Sequence, residues 1–276
     1  CKYKMKIFDC FMYFDEDLLL DLRLNILNDF VDKFIIIESN LTHTGKFKKL
    51  KFDINKFEKF KHKISYYPLE KLEIDKNLKL KKNWSQHHLI DQSIRNSISK
   101  YLTDASDDDW IIISDIDELP NPDVIQNFNK RKKYSFFKQQ LFYYKFNLKC
   151  ISEPPWYGSR LCVKRYLKSP QWLRNIKVND GNNFFKKFFY DHQILENGGW
   201  HFSSVKKPSE IITKLKSFAH NELVKEYMLD ENYIKNKIGN YQDIFERNVI
   251  LKKVELNNDL PEYLVRNKSK YSEFII

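Results

Sequence analysis

The chain has 276 residues, of which 42% are hydrophobic, 16% aromatic and 31% charged. It can therefore bury the core of one large domain or two small ones, and it is not intrinsically disordered. Six glycines and eight prolines are too few for a linker-rich protein. The net charge of +11 suits an anionic partner, but a chain this rich in Lys, Asn, Ile, Phe and Tyr is basic through its general composition, so the charge assigns no function.

The cysteine spacing argues against a bound metal cluster, and the hydropathy argues against a membrane-spanning segment. The four cysteines show no C-x-x-C spacing, which argues against a zinc cluster; they are Cys1, Cys10, Cys150 and Cys162. No run reaches the roughly 18 apolar residues of a membrane span. Acids follow the short N-terminal apolar run, where a signal peptide has a cleavage site. We expect a cytoplasmic protein without a membrane span, although a trimmed N-terminal anchor stays an alternative because the chain opens on Cys1.

A β-α-β unit is predicted near the N-terminus. The apolar run 7–14 predicts a strand, and the spacing of apolar residues over 18–27 predicts an amphipathic helix that Asp15 caps. The continuous apolar run 34–37 is typical of a strand covered on both faces, and it ends at Glu38.

A second series of elements precedes an acidic turn. Residues 64–67 predict a strand ended by Pro68, and 87–102 have the period of a helix with one apolar face. The polar side of this helix carries Gln92, Arg95 and Asn96. The run 110–113 predicts another buried strand.

The second half of the sequence is predicted to be rich in β-structure. Residues 134–168 alternate aromatic and polar side chains, 197–199 predict a small-residue turn, and Pro208 predicts the start of a helix. No linker divides the chain. We therefore predict one α/β domain over 1–240, with a C-terminal extension over 241–276 that packs on the same domain.

Acidic side chains follow two predicted strands, at Glu38 and at Asp115-Ile116-Asp117-Glu118. Ligands of open α/β sheets bind outside the carboxyl ends of the strands. Two carboxylates one residue apart can hold a hard cation that neutralises nucleotide phosphates, and Arg95 on the preceding helix can meet a diphosphate. A solvated acidic turn has the same sequence, and the position directly after a buried strand makes the metal site an equal alternative to it. The polar helix face of Gln92, Arg95 and Asn96 likewise has the alternative of a solvated surface.

Aromatic and histidine residues later in the chain have two interpretations. Trp200 and His201 follow the predicted turn, and His220 and Glu222 follow the next helix. A tryptophan can stack on a ligand and a histidine can bind a metal or a phosphate, but both are also common packing residues. The same alternatives hold for Trp156, Trp172 and Trp200 as candidate stacking platforms.

Several short motifs occur together in one order along the chain. They are Asp-Leu-Leu at 17–19 with Arg23, Val-Asp-Lys-Phe at 31–34, Glu-Ser-Asn-Leu-Thr at 38–42 with Gly45, Asp-Ile-Asp-Glu-Leu-Pro at 115–120, Gly-Trp-His-Phe-Ser at 199–203, Lys-Leu-Lys-Ser-Phe-Ala-His-Asn-Glu at 214–222, and Pro-Glu-Tyr-Leu at 261–264 with Asn267 and Tyr271. In this order, the chain resembles glycosyltransferase family 17 nearly from end to end.

The resemblance implies a GT-A-like fold, a Rossmann-like mixed sheet flanked by helices, that transfers a sugar with inversion. It implies a UDP-sugar donor, expected to be UDP-N-acetylglucosamine, a glycan or glycoconjugate acceptor, and Mn²⁺ or Mg²⁺ as cofactor. Asp115 and Asp117 would serve the metal and diphosphate, with His201 or His220 completing the metal shell. The implied nucleotide-sugar contacts are Glu38, Ser39, Thr42, Gln92, Arg95, Asn96, Asp115 and Trp200. The expected general base is Glu118 or Glu222, and spacing does not choose between them.

Two other functions fit parts of the sequence. A nucleotidyltransferase also places paired acids at a metal-bound triphosphate, but no glycine-rich phosphate loop stands near the N-terminus. A basic nucleic-acid-binding protein would cluster its lysines, whereas these are spread along the chain and densest over 46–82. We therefore expect no specific nucleic-acid partner, and the sequence assigns no oligomeric state.

Overall fold

The computed structural model describes residues 5–42, 45–74, 86–179, 191–216, 224–257 and 259–276. In these ranges ten strands join one mixed sheet, and helices cover both of its faces. The α/β, GT-A-like architecture predicted from the sequence is confirmed. No helix in these ranges has both the length and the apolar composition needed to cross a bilayer.

The first half of the chain builds a parallel sheet in the order β3-β2-β1-β4. Its strands are β1 (Ile7–Met12), β2 (Lys33–Ser39), β3 (Ile64–Leu69) and β4 (Trp110–Ile113). Helix α1 (Asp17–Leu27) connects β1 to β2, and α2 (Gln86–Ser97) with a 3₁₀ turn (Ile98–Tyr101) precedes β4. A further 3₁₀ helix (Ile54–Phe60) lies between β2 and β3.

The apolar run of β2 shows why this sheet has a core on each face. Successive side chains of a strand point to opposite faces. Phe34 and Ile36 pack in the core under α1, whereas Ile35 and Ile37 pack in the core that α2 covers. A continuous apolar run is therefore what this position requires.

The second half of the chain extends the sheet mainly with antiparallel pairs. Its strands are β5 (Glu118–Pro120), β6 (Tyr134–Tyr143), β7 (Leu148–Cys150), β8 (Arg160–Val163), β9 (His192–Ser203) and β10 (Leu251–Lys253). Strand β8 pairs with β4 and β6, β9 runs parallel to β6 and antiparallel to β5, and β7 lies between β6 and β10.

In the described part of the second half, the helices are short. They are α3 (Pro122–Ile125), α4 (Pro170–Asn175), α5 (Pro208–Lys216), α6 (Glu231–Gly239) and α7 (Glu262–Arg266), with 3₁₀ turns at Lys164–Tyr166, Glu226–Leu229 and Ser272–Phe274. In the C-terminal segment, β10 joins the sheet, while Leu264 and Tyr271 pack in the core beside α1. The domain boundary at residue 240 stays a prediction.

Two local predictions are wrong. Asp15 does not cap α1: the N-cap residue is Glu16, which makes no side-chain cap bond, and the Asp15 carboxylate pairs instead with Lys206 and Lys51. The predicted turn at 197–199 lies inside β9. The pairing of β9 with β6 shifts register there, and this irregularity accommodates the left-handed φ of +125° at Gly199.

The end predicted for the third strand is also wrong. Strand β3 continues through Pro68, which is opposite Glu38 of β2. Among the described strands β3 is at the edge of the sheet. A proline lacks the backbone N–H needed for a sheet hydrogen bond, and an edge strand tolerates that loss.

Candidate active site

A cavity of about 940 Å³ opens at the carboxyl ends of β1, β2 and β4. Its first wall includes Tyr13 after β1, Ser39 at the end of β2, and Asp115 and Asp117 after β4. The chain leaves β1 for β2 on one side and later returns to β4 on the other. The cavity thus lies at the position where open α/β sheets bind their ligands.

A buried arginine from α1 shapes the acidic turn between β4 and β5. Arg23 donates to both carboxylate oxygens of Asp9 in β1, at 2.7 and 2.6 Å, and to the hydroxyl of Ser114. Its remaining terminal nitrogen donates to the backbone carbonyls of Asp115 at 3.2 Å and Glu118 at 2.9 Å. These bonds hold in place the backbone of the turn that carries Asp115, Asp117 and Glu118. Sequence reasoning found Arg23 only as a motif residue, without this role.

Two arginines orient Asp115. Its Oδ1 accepts from Arg95 of α2 at 2.9 Å and its Oδ2 accepts from Arg174 of α4 at 3.0 Å. Burial raises the pKa of Asp115, but the two guanidinium groups lower it by more, so the carboxylate is ionised. Arg95 was predicted at this site. Arg174 was missed, because its short helix Pro170–Asn175 lies far along the chain and carries no local motif.

Glu118 is 1% exposed, and its carboxylate is fully engaged by donors. Arg174 binds it with both terminal nitrogens, at 2.9 and 2.5 Å, Trp156 donates its indole N–H at 2.7 Å, and the backbone N–H of Asp115 donates at 2.8 Å. A carboxylate that accepts four bonds from the protein holds its neighbours in place. This geometry favours a positioning role for Glu118 over proton transfer.

Asp117 faces the predicted histidine His201. Strands β5 and β9 pair Glu118 with His201, which brings the two segments together. The His201 Nε2 lies 3.6 Å from Oδ2 of Asp117, and Nζ of Lys214 in α5 lies 3.8 Å from the same oxygen. Burial raises the pKa of Asp117, but His201 and Lys214 lower it by more. Burial lowers the pKa of His201, but Asp117 raises it by more.

Trp156 contacts both His201 and Glu118. Its ring stacks on His201 with a centroid distance of 5.1 Å and an interplanar angle of 29°, and its N–H binds Glu118. It lines the cavity and is 41% exposed. The other two candidate platforms are packed: Trp172 contacts the core that α2 covers, and Trp200 lies in the core beside α1 with its N–H bonded to the carbonyl of Asp259 at 2.6 Å.

The residues expected at the nucleotide fall into two groups. Ser39 lines the cavity, and its hydroxyl accepts from the N–H of Leu41 at 3.1 Å. Glu38 is buried, and its carboxylate accepts from the backbone of Lys51 and Phe52 and from Tyr66, so it joins β2 to neighbouring segments.

The remaining predicted residues stand behind the cavity or outside the described ranges. Thr42 accepts from the N–H of Lys46 at 3.0 Å, Asn96 accepts from the N–H of Gln171 at 2.9 Å, and Gln92 is 3% exposed. None of these three is in the cavity wall of the described residues. His220 and Glu222 lie outside the described residues.

Asp117 and His201 are the candidate ligands for a divalent cation. The described residues contain no group of three His, Cys, Asp or Glu side chains arranged for a metal. Mg²⁺ and Mn²⁺, however, are held at phosphate sites by one or two protein groups plus phosphate oxygens. Asp117 and His201 supply oxygen and nitrogen ligands that suit Mn²⁺. His201 Nε2 and Asp117 Oδ2 lie 3.6 Å apart, close enough for one cation to contact both atoms. The pair therefore fits such an ion, whereas both oxygens of Asp115 already bind arginines.

A Rossmann-like mixed sheet flanked by helices, with a cavity at the carboxyl ends of its parallel strands, places the protein in the GT-A-like fold class. The model of glycosyltransferase family 17 matches residues 1–275, and the chain belongs to that family. No curated protein matches the chain. The resemblance inferred from the motifs is thereby confirmed, and the protein is a glycosyltransferase.

Proposed function

We propose that the protein is a metal-dependent, inverting glycosyltransferase that moves N-acetylglucosamine from UDP to a glycan or glycoconjugate acceptor. Membership of the family supports sugar transfer. The identity of the donor, the need for a metal and the inverting stereochemistry are what we propose beyond it. The observation that carries it is the position of Asp115 and Asp117 directly after β4, in the wall of the cavity. The family also favours sugar transfer over nucleotidyl transfer and over nucleic-acid binding.

In this proposal, the donor lies along the first wall of the cavity. Ser39 borders the nucleotide, and Asp115, fixed by Arg95 and Arg174, meets the ribose or diphosphate. Preorganised charges of this kind stabilise a developing negative charge without reorganising during the reaction. Lys214 and the two arginines place positive charge near the departing diphosphate.

Asp117 and His201 would hold Mn²⁺ or Mg²⁺. When bound, the cation supplies Lewis-acid stabilisation of the UDP leaving group. The remaining protein groups keep the two ligands in place: β5 and β9 pair beside them, and Trp156 stacks on the imidazole.

Inversion requires a general base for the acceptor hydroxyl. Of the two predicted carboxylates, Glu118 is occupied by Arg174, Trp156 and the backbone of Asp115. We assign it a positioning role. Glu222 is therefore the proposed base, and Glu222→Gln should lower the rate of transfer while leaving UDP affinity unchanged.

The test is calorimetric titration of the protein with UDP, with and without Mn²⁺, followed by a panel of UDP-sugars. We expect binding that needs the metal and is lost in Asp117→Asn. Asp191→Asn, an exposed aspartate paired with Lys133, is the control. Metal-independent binding, or equal binding by both variants, would overturn the metal assignment.

The UDP-sugar panel tests the donor, and product analysis tests the stereochemistry. A preference for UDP-N-acetylglucosamine supports the proposed donor, and a preference for another UDP-sugar replaces it. NMR of the product distinguishes inversion from retention through the anomeric coupling constant of the transferred sugar.

A further inference from the structure

Trp156 is a large aromatic side chain that stays exposed although it is rigidly held. Its backbone N–H and carbonyl pair with Gln139 at 3.0 and 2.8 Å. Its indole N–H binds Glu118, and one ring face is covered by His201. The residue as a whole is 41% exposed and lines the cavity, so part of its aromatic surface stays accessible there. An aromatic surface fixed before any ligand arrives binds a flat apolar face at little entropic cost.

Two polar groups in this part of the cavity, Glu153 and Arg247, have bonding capacity that the described residues do not use. Glu153 accepts from the hydroxyl of Tyr143 at 2.6 Å through Oε2, while its Oε1 lies 4.0 Å from Nη1 of Arg247, beyond hydrogen-bond range. Arg247 is held by Asp243, through Nε at 2.9 Å and Nη2 at 3.0 Å. Glu153 Oε1 and Arg247 Nη1 thus form an acceptor and a donor in fixed positions on the cavity wall.

This combination of groups indicates the chemistry of the ligand. Pyranose rings present C–H groups on one face and hydroxyl groups at the edge, so they pack on an aromatic ring while the hydroxyls bond to carboxylates and guanidinium groups. The charge of Arg247 is already balanced by Asp243, and Glu153 adds a second negative charge. The two carboxylates outnumber the one guanidinium group here, so this part of the cavity suits a neutral sugar better than one that carries a carboxylate.

The location distinguishes acceptor from donor. Glu153, Trp156 and Arg247 belong to the second half of the chain, whereas Ser39 and Tyr13, at the ends of β2 and β1, form the proposed nucleotide wall. Glu153, Trp156 and Arg247 form a second wall of the cavity, and the bond from Trp156 to Glu118 joins it to the first. We propose that Trp156, Glu153 and Arg247 form the acceptor subsite, and that it takes a neutral pyranose. This inference rests on the proposed function, because it places the acceptor in the same cavity as the donor.

The experiment is calorimetric titration of the protein, saturated with UDP and Mn²⁺, with neutral disaccharides: cellobiose, lactose, mannobiose and N,N′-diacetylchitobiose. Cellobiouronic acid is the charged counterpart. The variants are Trp156→Leu, Trp156→Phe and Glu153→Gln, with Tyr166→Leu as a control that removes an aromatic ring of 40% exposure outside the cavity. UDP titration and hydrolysis of UDP-N-acetylglucosamine report on the donor wall in every variant.

We expect at least one neutral disaccharide to bind, about tenfold less tightly to Trp156→Leu and to Glu153→Gln, with Trp156→Phe intermediate and Tyr166→Leu unchanged. UDP affinity should change little in Glu153→Gln, which tests the subsite even if Trp156→Leu is unstable. Tighter binding of cellobiouronic acid, no disaccharide binding, or binding independent of both residues overturns the inference. Failure of the proposed function is seen separately, as absence of UDP binding to the unchanged protein.

Discussion

Arg23 and Asp9 form an ion pair in which both side chains are completely buried, with 2.6 Å between Nη2 and Oδ1. The same guanidinium bonds the backbone carbonyls of Asp115 and Glu118. One residue of α1 thus connects the strand β1 to the turn that presents the site carboxylates. The pair is a structural support for the site, and it does not line the cavity.

Replacing Arg23 should therefore destabilise the whole fold. Arg23→Met leaves Asp9 buried without a partner and the two carbonyls without a donor, and breaking a buried pair in this way costs about 3–5 kcal/mol of the free energy of unfolding. Urea unfolding followed by circular dichroism measures the loss. The double variant Asp9→Leu with Arg23→Met removes both charges and should be less destabilised than the single one.

The matched control is the surface pair of Lys33 and Asp104, whose carboxylate side chain is 64% exposed. Asp104→Asn should change the unfolding midpoint little, because exposed ion pairs contribute little to stability. Similar losses for Arg23→Met and Asp104→Asn would contradict the support role of Arg23.

Arg174 should be required for donor binding through its geometry as well as its charge. It bonds Asp115 with one nitrogen and Glu118 with both. Lysine keeps the charge but cannot span two carboxylates with a planar fork. We expect Arg174→Lys to weaken UDP binding about tenfold, measured by calorimetry. Arg165→Lys, at an exposed surface pair with Asp108, is the control. Unchanged UDP affinity in Arg174→Lys would argue against this arrangement of the donor site.

The local sequence pattern was sufficient to predict the buried strands β2 and β4 and the acidic residues that follow them. The apolar runs at β2 and β4 predicted buried strands, and the exit of β4 placed Asp115 and Asp117 at the cavity, since the ends of parallel strands meet at one edge. Arg174 could not be found in this way. Its contact with Asp115 depends on the packing of α4 beside α2, which no local pattern encodes.

Two differences between the expected and the observed positions of side chains have a simple physical origin. Trp200 and His201 were both expected at the site, but neighbours in a strand point to opposite faces, so only one of them can reach the cavity. His201 does, and Trp200 packs in the core. Glu38 stands at a strand exit like Asp115, yet the backbone of Lys51 and Phe52 folds over it and uses its oxygens.

The stability of the protein should depend on pH through Asp15. Burial raises the pKa of this carboxyl group, but the ammonium groups of Lys206 and Lys51 lower it by more, so the folded pKa lies below its ordinary value. The unfolded chain has a pKa of about 3.9. Asp15 therefore stabilises the fold above about pH 4, and this contribution is lost as the pH falls through the folded pKa.

Lys206→Met should accordingly reduce the free energy of unfolding most at neutral pH. The difference from the unchanged protein should shrink between about pH 5 and pH 3, where Asp15 becomes protonated in the unfolded state. Urea unfolding at several pH values measures it. Lys207→Met, which removes a half-exposed lysine paired with Glu273, should show a small difference with little pH dependence. A Lys206→Met difference that stays constant over this range would exclude the coupling to Asp15.

Gly158 should be indispensable because its position leaves no room for a side chain. A Cβ atom there would overlap Oε1 of Glu118 and Nε1 of Trp156, the two atoms of the bond between the proposed donor and acceptor walls. Gly158→Ala must move one of these side chains, at a cost of about 1–3 kcal/mol in the free energy of unfolding. We expect lower UDP affinity and weaker disaccharide binding together, because Arg174 and Trp156 both depend on Glu118.

Gly239, at the end of α6, is the matched control for this substitution. A Cβ atom at that position meets no other atom within 4 Å. Gly239→Ala should leave both ligand affinities unchanged and raise the free energy of unfolding by up to about 1 kcal/mol, because alanine restricts the unfolded chain more than glycine does. Thermal unfolding and the two titrations compare the variants directly. If Gly158→Ala lowers stability but leaves both affinities intact, then the bond between Glu118 and Trp156 does not connect the two walls of the site.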